Sequence, residues 1–596
     1  MKWIKKLKSR LTGLTEAVGR FPLTTLFLLG AAIVNAYDIS NGKYIISKLL
    51  LTFVVGALLS AVLQMVYERY YSKLSIRFVI MGLVGLLTGG YYLIIRQAPK
   101  LSMEIEIRTA VALFALLIAF IWVPVIKSKI SFNKSFMIAF KSLFNSLFFS
   151  GIIFAGVSII LQAIYLLIFP IDQDAFPQTA NIVFILFAPL YFLSLIPVYL
   201  GPKDEAKMEE TKSPRQETIE KAAGYPKFLE ILISYIIIPL IAVFTIILVI
   251  YIIKNIGGEF WTDNLLEPML VAYAITVILV YILASEIENK FTAYFRKIFP
   301  KVLVPIVIFQ IASSILSLAD TGVTHTRYYV ILFGIFAAIA GILLSFIPVR
   351  KNGLIAAILI VFAIVSVVPP VDAFTISRNN QINMLKNVLK ENNMLENNQI
   401  KPNGNISDKD KKLVTNSIYY LTNMDYTKEI KWLPKDFEVY QDFYDTFGFY
   451  EYQEPVQSNQ PVYLNLEQYA PIRIKGYDTF VQMELYMTEK DRQEKICDFE
   501  KDGRTYTLKR EFTKDQIVLK LIGENNKELI TFKTQEIYDK FYDYNSNIKG
   551  MLSADEATFT KENDRAKLVI VTQYVNIEKA NAEANNAGIY VFVEIK

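Results

Sequence analysis

The stretch GLIAAILIVFAIVSVVPPVDAFTISRNNQINML (Gly353–Leu385) contains the transition that decides the architecture. Gly353–Val368 is uncharged and almost wholly apolar, the composition of a helix that enters hydrocarbon. After Pro369-Pro370 the chain turns polar at Asp372, Arg378, Asn379, Asn380 and Gln381. An apolar bundle therefore ends here and a domain of soluble composition begins. The charges on the two sides agree with that division. Residues 373–596 carry about 30 Lys and Arg against about 35 Asp and Glu, so the totals of 62 and 56 leave about 32 and about 21 for residues 1–372. The net +6 is the sum of a basic, apolar part and an acidic, polar part.

Over all 596 residues, 53% are hydrophobic and 20% charged, against about 45–50% and about 25% in soluble domains. A single soluble globule is excluded. So is a simple nucleic-acid binder, since no arginine-rich face stands out. One cysteine, Cys497, excludes an intramolecular disulfide framework and a Cys-based zinc site. One histidine, His325, excludes HExxH and His-cluster metal sites, and a Ser-His-Asp triad would have to use it. No catalytic residue, metal site or cofactor is assigned, and the balance leans away from an enzyme.

About 20 apolar residues span a bilayer, which gives about eleven candidates: Phe21–Tyr37, Tyr44–Tyr67, Phe78–Ile95, Thr109–Ile126, Leu143–Phe169, Asn181–Leu200, Phe228–Ile253, Pro268–Ser285, Val302–Leu318, Tyr328–Ile347 and Gly353–Val368. The fifth segment is weakly bounded, because Phe132–Phe140 is also apolar and is a candidate for an interfacial helix. The first segment is not a secretory signal, because no small-residue cleavage site comes after it. Cations recur on alternate connections, from Lys2–Arg20 to Arg69–Arg77, Lys127–Lys141, Lys203–Lys227, Lys290–Lys301 and Arg350–Lys351. The other connections hold Asp38, Asp172, Asp174, Glu259, Asp263, Glu267 and Asp320, with Arg96–Arg108 mixed. By the positive-inside rule the N-terminus is cytoplasmic, and an odd number of spans puts the chain after Asp372 outside. The expected division is a first helix group at 1–201, a cytoplasmic linker at 202–227, a second group at 228–371 and an extracytoplasmic α+β domain at 372–596.

Ionisable groups deep in a span are functional suspects. Here Lys48 and Glu230 lie near segment ends, where a long side chain snorkels. Gln64, Gln162 and Gln310 read as buried interhelical bonds, and Pro189, Pro239 and Pro305 as kinks. The densest polar cluster is Asp320–Tyr329, with Asp320, Thr324, His325, Arg327 and Tyr328 as the candidate site at the outer face. Gly322 permits a turn, Thr324 or Thr326 caps the next helix, and Arg327 and the tyrosines suit the interface.

The run GVTHTRYYVILFGIFA (Gly322–Ala337) resembles the YG-(I/L)-TE-x-RY pattern of a bacterial membrane family called domain of unknown function 4153. GRFPLTTLFLL (Gly19–Leu29) and PPVDAFTISRNNQINML (Pro369–Leu385) are similar to its first segment and its exit stretch, and IKWLPKDF (Ile430–Phe437) to a run in its polar part. His325 stands where the family has glutamate, and Pro370-Val371-Asp372 replaces Pro-Phe-Ser. The resemblance implies topology and no activity.

Beyond Ala373, Arg378–Asn393 and Asp408–Leu421 have helical periodicity. Pro461–Leu466, Ile472–Lys475, Thr479–Met487, Arg504–Phe512, Gln516–Leu521, Leu529–Lys533, Lys567–Ile577 and Gly588–Ile595 read as strands, with turns at Lys501–Gly503 and Gly523–Lys527 and a helix at Glu536–Tyr544. The fold class is a polytopic α-helical membrane bundle followed by an α+β domain with a mainly antiparallel sheet. The function expected is a bacterial multi-pass plasma-membrane protein presenting an extracytoplasmic sensing or interaction domain. The alternatives are a transporter of a weakly charged or lipidic solute and an envelope enzyme at the outer leaflet. The partners expected are the bilayer and an envelope protein, lipid or glycan.

Overall fold

Among the residues that the computed structural model describes (12–41, 47–98, 101–202, 214–255, 266–434, 436–452, 461–486, 492–513, 517–544, 550–579 and 584–596), eleven helices are long and apolar enough to cross a membrane. They are α1 (Pro22–Asn41), α2 (Ser47–Tyr70), α3 (Leu74–Arg96), α4 (Met103–Val125), α5 (Phe132–Leu167), α6 (Ala175–Ser194), α7 (Lys227–Lys254), α8 (Glu267–Ala284), α9 (Lys290–Leu316), α10 (His325–Phe346) and α11 (Val349–Val367). Each corresponds to one apolar segment of the sequence. The fifth is longer than its apolar core, because Phe132–Phe140 continues into α5 without a break. No residue there breaks the helix, so the weakly bounded fifth segment and the candidate interfacial stretch are one helix. Of the groups used to argue orientation, Lys2–Arg10, Lys203–Lys212, Glu259 and Asp263 lie outside the described residues.

Helix starts follow from local chemistry. Ser102 accepts from the Ile105 N–H (3.4 Å) and Ser131 from the Lys134 N–H (3.3 Å). Asn289 and Thr292 form a reciprocal capping box. Pro189 and Pro239 do not break their helices. Each comes after a π-helical stretch, Asn181–Phe187 in α6 and Leu232–Ile237 in α7. A proline supplies no N–H and crowds the preceding turn, and the wider π register accommodates both defects. Pro305 lies inside a continuous α9.

Large apolar side chains face outward as well as inward. Leu86, Ile94, Leu167 and Phe346 are fully outward-facing, whereas Ala274, Val277 and Ala284 of α8 are completely buried. Helices α9 and α10 meet through small residues. A side chain at Gly334 would strike Ile311, and one at Gly341 would strike Val304 and the Pro300 carbonyl, which is how helices without a hydrophobic driving force approach closely. Gln310 is buried there and donates to the Val330 carbonyl (3.2 Å). Gln64 is buried and bonds Glu68 (3.0 Å), but Gln162, expected inside, is exposed on α5.

Hydrogen bonds sort the helix ends into two sets. At one end Lys48 reaches the Ala98 carbonyl and Gln178 the Ala36 carbonyl (2.8 Å). At the other, Arg20 pairs with Glu68 (2.8 Å) and donates to the carbonyls of Ile196 (2.5 Å) and Pro197 (3.2 Å). Buried Arg69 donates to the carbonyls of Leu200, Ile126 (3.0 Å) and Lys127 (3.2 Å). Arg296 does the same for Ala284 (2.5 Å) and Ile287 (3.0 Å). These arginines satisfy carbonyls that helix termini leave without partners.

Contacts divide the chain into two compact units, Met1–Glu451 and Tyr452–Lys596. Residue 372 is thus a boundary of composition, while residues 372–451 group with the helices. In this first unit α12 (Ala373–Glu391), α13 (Asp408–Asn423) and α14 (Val439–Phe447) share a core of Phe374, Leu385, Val414, Ile418, Trp432 and Phe447. The second unit holds β1 (Val462–Leu466), β2 (Thr479–Tyr486), β3 (Arg492–Lys501), β4 (Arg504–Phe512), β5 (Ile517–Ile522), β6 (Glu528–Lys533), β7 (Met551–Leu552), β8 (Thr558–Glu562), β9 (Ala566–Ile577) and β10 (Asn586–Ile595). One sheet runs β2-β10-β9-β1-β7 with β8 also on β9, and the other β3-β4-β5-β6. All pairs are antiparallel except β1 with β7.

The Lys501–Gly503 turn forms as expected. Asp502 (φ 51°) and Gly503 (φ 74°) both take the left-handed region that a tight two-residue hairpin requires. Ile472–Lys475 is not a strand, and Arg492–Lys501 is one. Its charged sequence RQEKICDFEK obscures the β pattern. The expected ends Met487 and Gln516 lie outside the described residues.

Candidate functional site

The loop after α9 makes one short helical turn, Leu318–Thr321, and then reverses at Gly322 with φ 66°. Glycine is required there twice over. The backbone is left-handed, and a Cβ would collide with Met384, with the Gln381 amide nitrogen (2.6 Å) and with the Asn380 carbonyl oxygen (2.8 Å). Those side chains belong to α12, which reads the loop backbone directly. Asn380 accepts from the Val323 N–H (2.7 Å), and buried Gln381 donates to the carbonyls of Thr321 (2.9 Å) and Val323 (3.4 Å).

Thr324 then caps α10, its hydroxyl accepting from the Arg327 N–H (3.3 Å). Two neighbours in this sequence run serve different partners. The Arg327 guanidinium faces Glu267 of α8 (3.5 Å) and bonds Ser317, and Ser314 donates to the same Glu267. The His325 ring points the other way, stacked on Phe374 (centroids 5.7 Å apart) with Nδ1 3.1 Å from the Tyr420 hydroxyl. That hydroxyl also accepts from the His325 backbone N–H (3.1 Å) and donates to Ser377 (2.8 Å), which donates to the Phe374 carbonyl (3.3 Å). With its single proton directed at Ser377, Tyr420 is an acceptor toward the imidazole, so Nδ1 carries the hydrogen. Burial raises the Tyr420 phenol above its usual value.

Tyr328 donates to the Val371 carbonyl (2.6 Å). Asp320 lies in the Leu318–Thr321 turn, but its side chain lies outside the described residues. The candidate residues whose side chains are described therefore do not converge on one reacting centre. They fasten α10 to three different neighbours.

The strongest electrostatic feature nearby is not among the residues singled out by sequence. Asp372 caps α12, accepting from the N–H groups of Phe374 (3.0 Å) and Thr375 (3.1 Å), and its side chain is fully buried. Arg108 of α4 lies 2.5 Å from the same carboxylate, 2.8 Å from Glu104, and 4.9 Å above the Phe374 ring, and bonds the Val367 carbonyl. Burial alone would raise the Asp372 carboxyl. Thr375, Phe374 and the Arg108 charge outweigh it and hold the group below the usual carboxylate range. Glu104 also accepts from Tyr426 (2.7 Å), whose phenol is pushed up by burial and by that carboxylate. The signal was present in the mixed charge of Arg96–Arg108, which broke the alternation of the loops, and in an Asp directly ahead of a helical run.

A family model described as Domain of unknown function (DUF4153) matches residues 23–397. The chain belongs to this family. The DUF4153 match covers all but the first residue of α1, every other span and all of α12, so Arg108, Gly322, Arg327, Asp372, Asn380 and Gln381 fall inside it, while Tyr420, Tyr426 and the whole second unit fall beyond it. Two of the runs that carried the resemblance, Gly322–Ala337 and Pro369–Leu385, lie wholly within the match, and these are the two stretches joined by the bonds of Asn380 and Gln381 to Val323. Where that resemblance has serine, this chain has Asp372, which caps α12 and carries a charge for Arg108. No curated protein and no solved structure shows a significant match to this chain.

Proposed function

We propose that this DUF4153 protein is a bacterial plasma-membrane protein with its N-terminus in the cytoplasm, whose spans anchor and present an outer interaction or sensing domain. The observation that carries this reading is the junction at Asp372. The last span leads within a few residues into α12, and α12 is bonded to α4 through Arg108 and to the loop before α10 through Asn380 and Gln381. A passive tether needs no such bonds. A rigid mounting does, because it fixes the direction in which the chain leaves the last span.

Charge supports the orientation: Arg69, Arg77, Lys127, Lys129, Arg296 and Arg350 belong to one set of helix ends, and Asp38, Asp172 and Glu267 to the other. The interaction role draws on the second unit, where Ile474, Phe480 and Tyr469 stand exposed. Ile474 and Phe480 also line a cleft of about 660 Å³ with Tyr477, Tyr590 and Phe592. Apolar surface left in water marks contact sites. Reporter fusions after Val371 and within Pro202–Lys227 test the topology. An outside-active reporter is expected at the first position and a cytoplasm-active one at the second, and the reverse pair would refute the orientation.

A further inference from the structure

We propose that two copies of this chain pair within the membrane, side by side and parallel, through the outward face of α5, so that each Asn145 and each Gln162 meets its own counterpart across a two-fold axis. This rests on the reading of these helices as membrane-spanning. Of the eleven spans α5 is the least embedded: 6% of its apolar stretch is buried, against 17–56% for the other spans. Its inward stripe consists of Ser142, Ser146 and Ser150, all buried, and Ser146 bonds the Ala188 carbonyl of α6 (2.6 Å).

The opposite side of α5 has a heptad pattern. Asn145, Ile152, Ile159 and Leu166 recur every seven residues, and Phe148, Ala155 and Gln162 each fall three residues after one of them. All of these side chains are exposed. Alternating steps of three and four form the seam along which two helices wind into a left-handed pair. From Asn145 to Leu166 the seam runs three heptads, about 31 Å, which matches the roughly 30 Å of a bilayer's hydrocarbon.

Two amides on this seam identify what covers it. Neither Asn145 nor Gln162 has a hydrogen-bond partner among the described residues. Gln162 lies two turns, about 10 Å, from Ala155 near the middle of the span, within the roughly 15 Å of one leaflet's hydrocarbon. Acyl chains offer an amide neither donor nor acceptor, so lipid alone is a costly cover. A carboxamide is its own complement. It holds N–H donors and a carbonyl acceptor, and two of them facing across a two-fold axis satisfy each other. Matching both ends of the seam requires a helix with the same two amides, at the same spacing and in the same direction. A second copy of this chain, inserted with the same topology, meets all three conditions, and the paired amides fix the register.

The glycines beside the seam are an independent observation. A Cβ at Gly151 or at Gly156 would meet nothing within 4 Å, whereas one at Gly334 or Gly341 would strike α9. Packing inside the chain therefore has no need of glycine at positions 151 and 156. They flank Ile152 and Ala155, and small residues beside a seam let two backbones come close enough for amides to bond across it.

Cysteine scanning of the full chain in its membranes tests the pairing. In a Cys497→Ser background, mild oxidation should crosslink Ile152→Cys, Ala155→Cys and Ile159→Cys into two-chain species about fivefold faster, or more, than Ile153→Cys and Ile160→Cys, which are also exposed on α5 but stand off the seam. Equal rates on and off the seam, or no crosslink at any of these positions, would overturn the proposal. So would crosslinks of heptad period to a chain of different mass, which would assign the face to another partner. Gln162→Leu, a substitution that suits a lipid-facing helix, should slow the Ala155→Cys crosslink about threefold, and Gln162→Asn, which keeps an amide, should slow it less. A wild-type rate with leucine would refute the amide pairing. Release of the chain from membranes by alkaline carbonate is a different failure, since it would remove the membrane-spanning reading and the pairing with it.

Discussion

The guanidinium of Arg108 lies 2.5 Å from the carboxylate of Asp372, a contact between residues 264 positions apart. It joins the fourth span to the first turn of α12. Asp372 is fully buried while Arg108 keeps about a fifth of its side chain exposed (22%). Removing the arginine would therefore leave a buried charge behind, whereas the capping N–H groups would still hold the carboxylate in place. Asp372→Ala and Arg108→Ala should each cost about 3 kcal/mol. In the double variant the loss should fall well short of the sum, because the single variants share one interaction. Thermal unfolding tracked by tryptophan fluorescence checks this, and additive losses would show that the two residues act independently.

The same pair predicts an acid limit. The folded-state value of Asp372 is lowered, so its contribution is complete above the unfolded value near about 4 and is lost as pH falls through the folded value. Unfolding midpoints of the wild-type chain should drop on acidification below about pH 4, and those of Asp372→Asn should drop less. Parallel acid profiles for the two chains would refute the assignment.

Gly322→Ala should destabilise the junction by more than about 1 kcal/mol, since it forces a β-carbon into a left-handed turn already occupied by Met384, Asn380 and Gln381. Gln381→Ala removes the donor to Thr321 and Val323 and should cost about 1–3 kcal/mol. Proteolysis within 318–328 should accelerate in both variants. Unchanged cleavage would mean that α12 does not hold the loop.

All eleven spans were legible because hydrocarbon imposes one requirement, about 20 apolar residues in a row, and leaves little room for alternatives. The polar junction was only half legible. Gly322 and Thr324 act locally, and their roles come from turn and cap chemistry. His325 and Arg327 are close in sequence but face opposite sides of the helix start, so their partners, Tyr420 and Glu267, depend on packing that no local pattern encodes. The β3 strand was missed for a related reason. Its charges lie at the solvent-accessible edge of a sheet, where pairing with β4, rather than hydrophobic alternation, fixes the conformation.

Tyr420→Phe tests the His325 contact. The substitution preserves the ring beside His325 but removes the acceptor for both the backbone N–H and Nδ1. A loss of about 1–3 kcal/mol is expected, and His325→Ala should cost less in the Tyr420→Phe background than in the wild type. Equal costs in both backgrounds would mean that the imidazole draws nothing from Tyr420.

Cys497, on β3, provides a reactivity test in the second unit. Burial first, and the neighbouring Asp498 second, raise its thiol above the ordinary value. Lys495, the one cation close in sequence, is paired with Asp498 and so is not available to stabilise a thiolate. A raised value means less thiolate at neutral pH than an ordinary cysteine has. Alkylation by iodoacetamide at pH 7.5 should therefore be several-fold slower than for a free thiol, and should still be climbing with pH beyond about 9, where a normal cysteine levels off. Asp498→Asn removes the repelling charge and releases Lys495, so it should speed the reaction at pH 7.5. A wild-type rate equal to that of free thiol, or an Asp498→Asn variant that reacts more slowly, would contradict this account of the site.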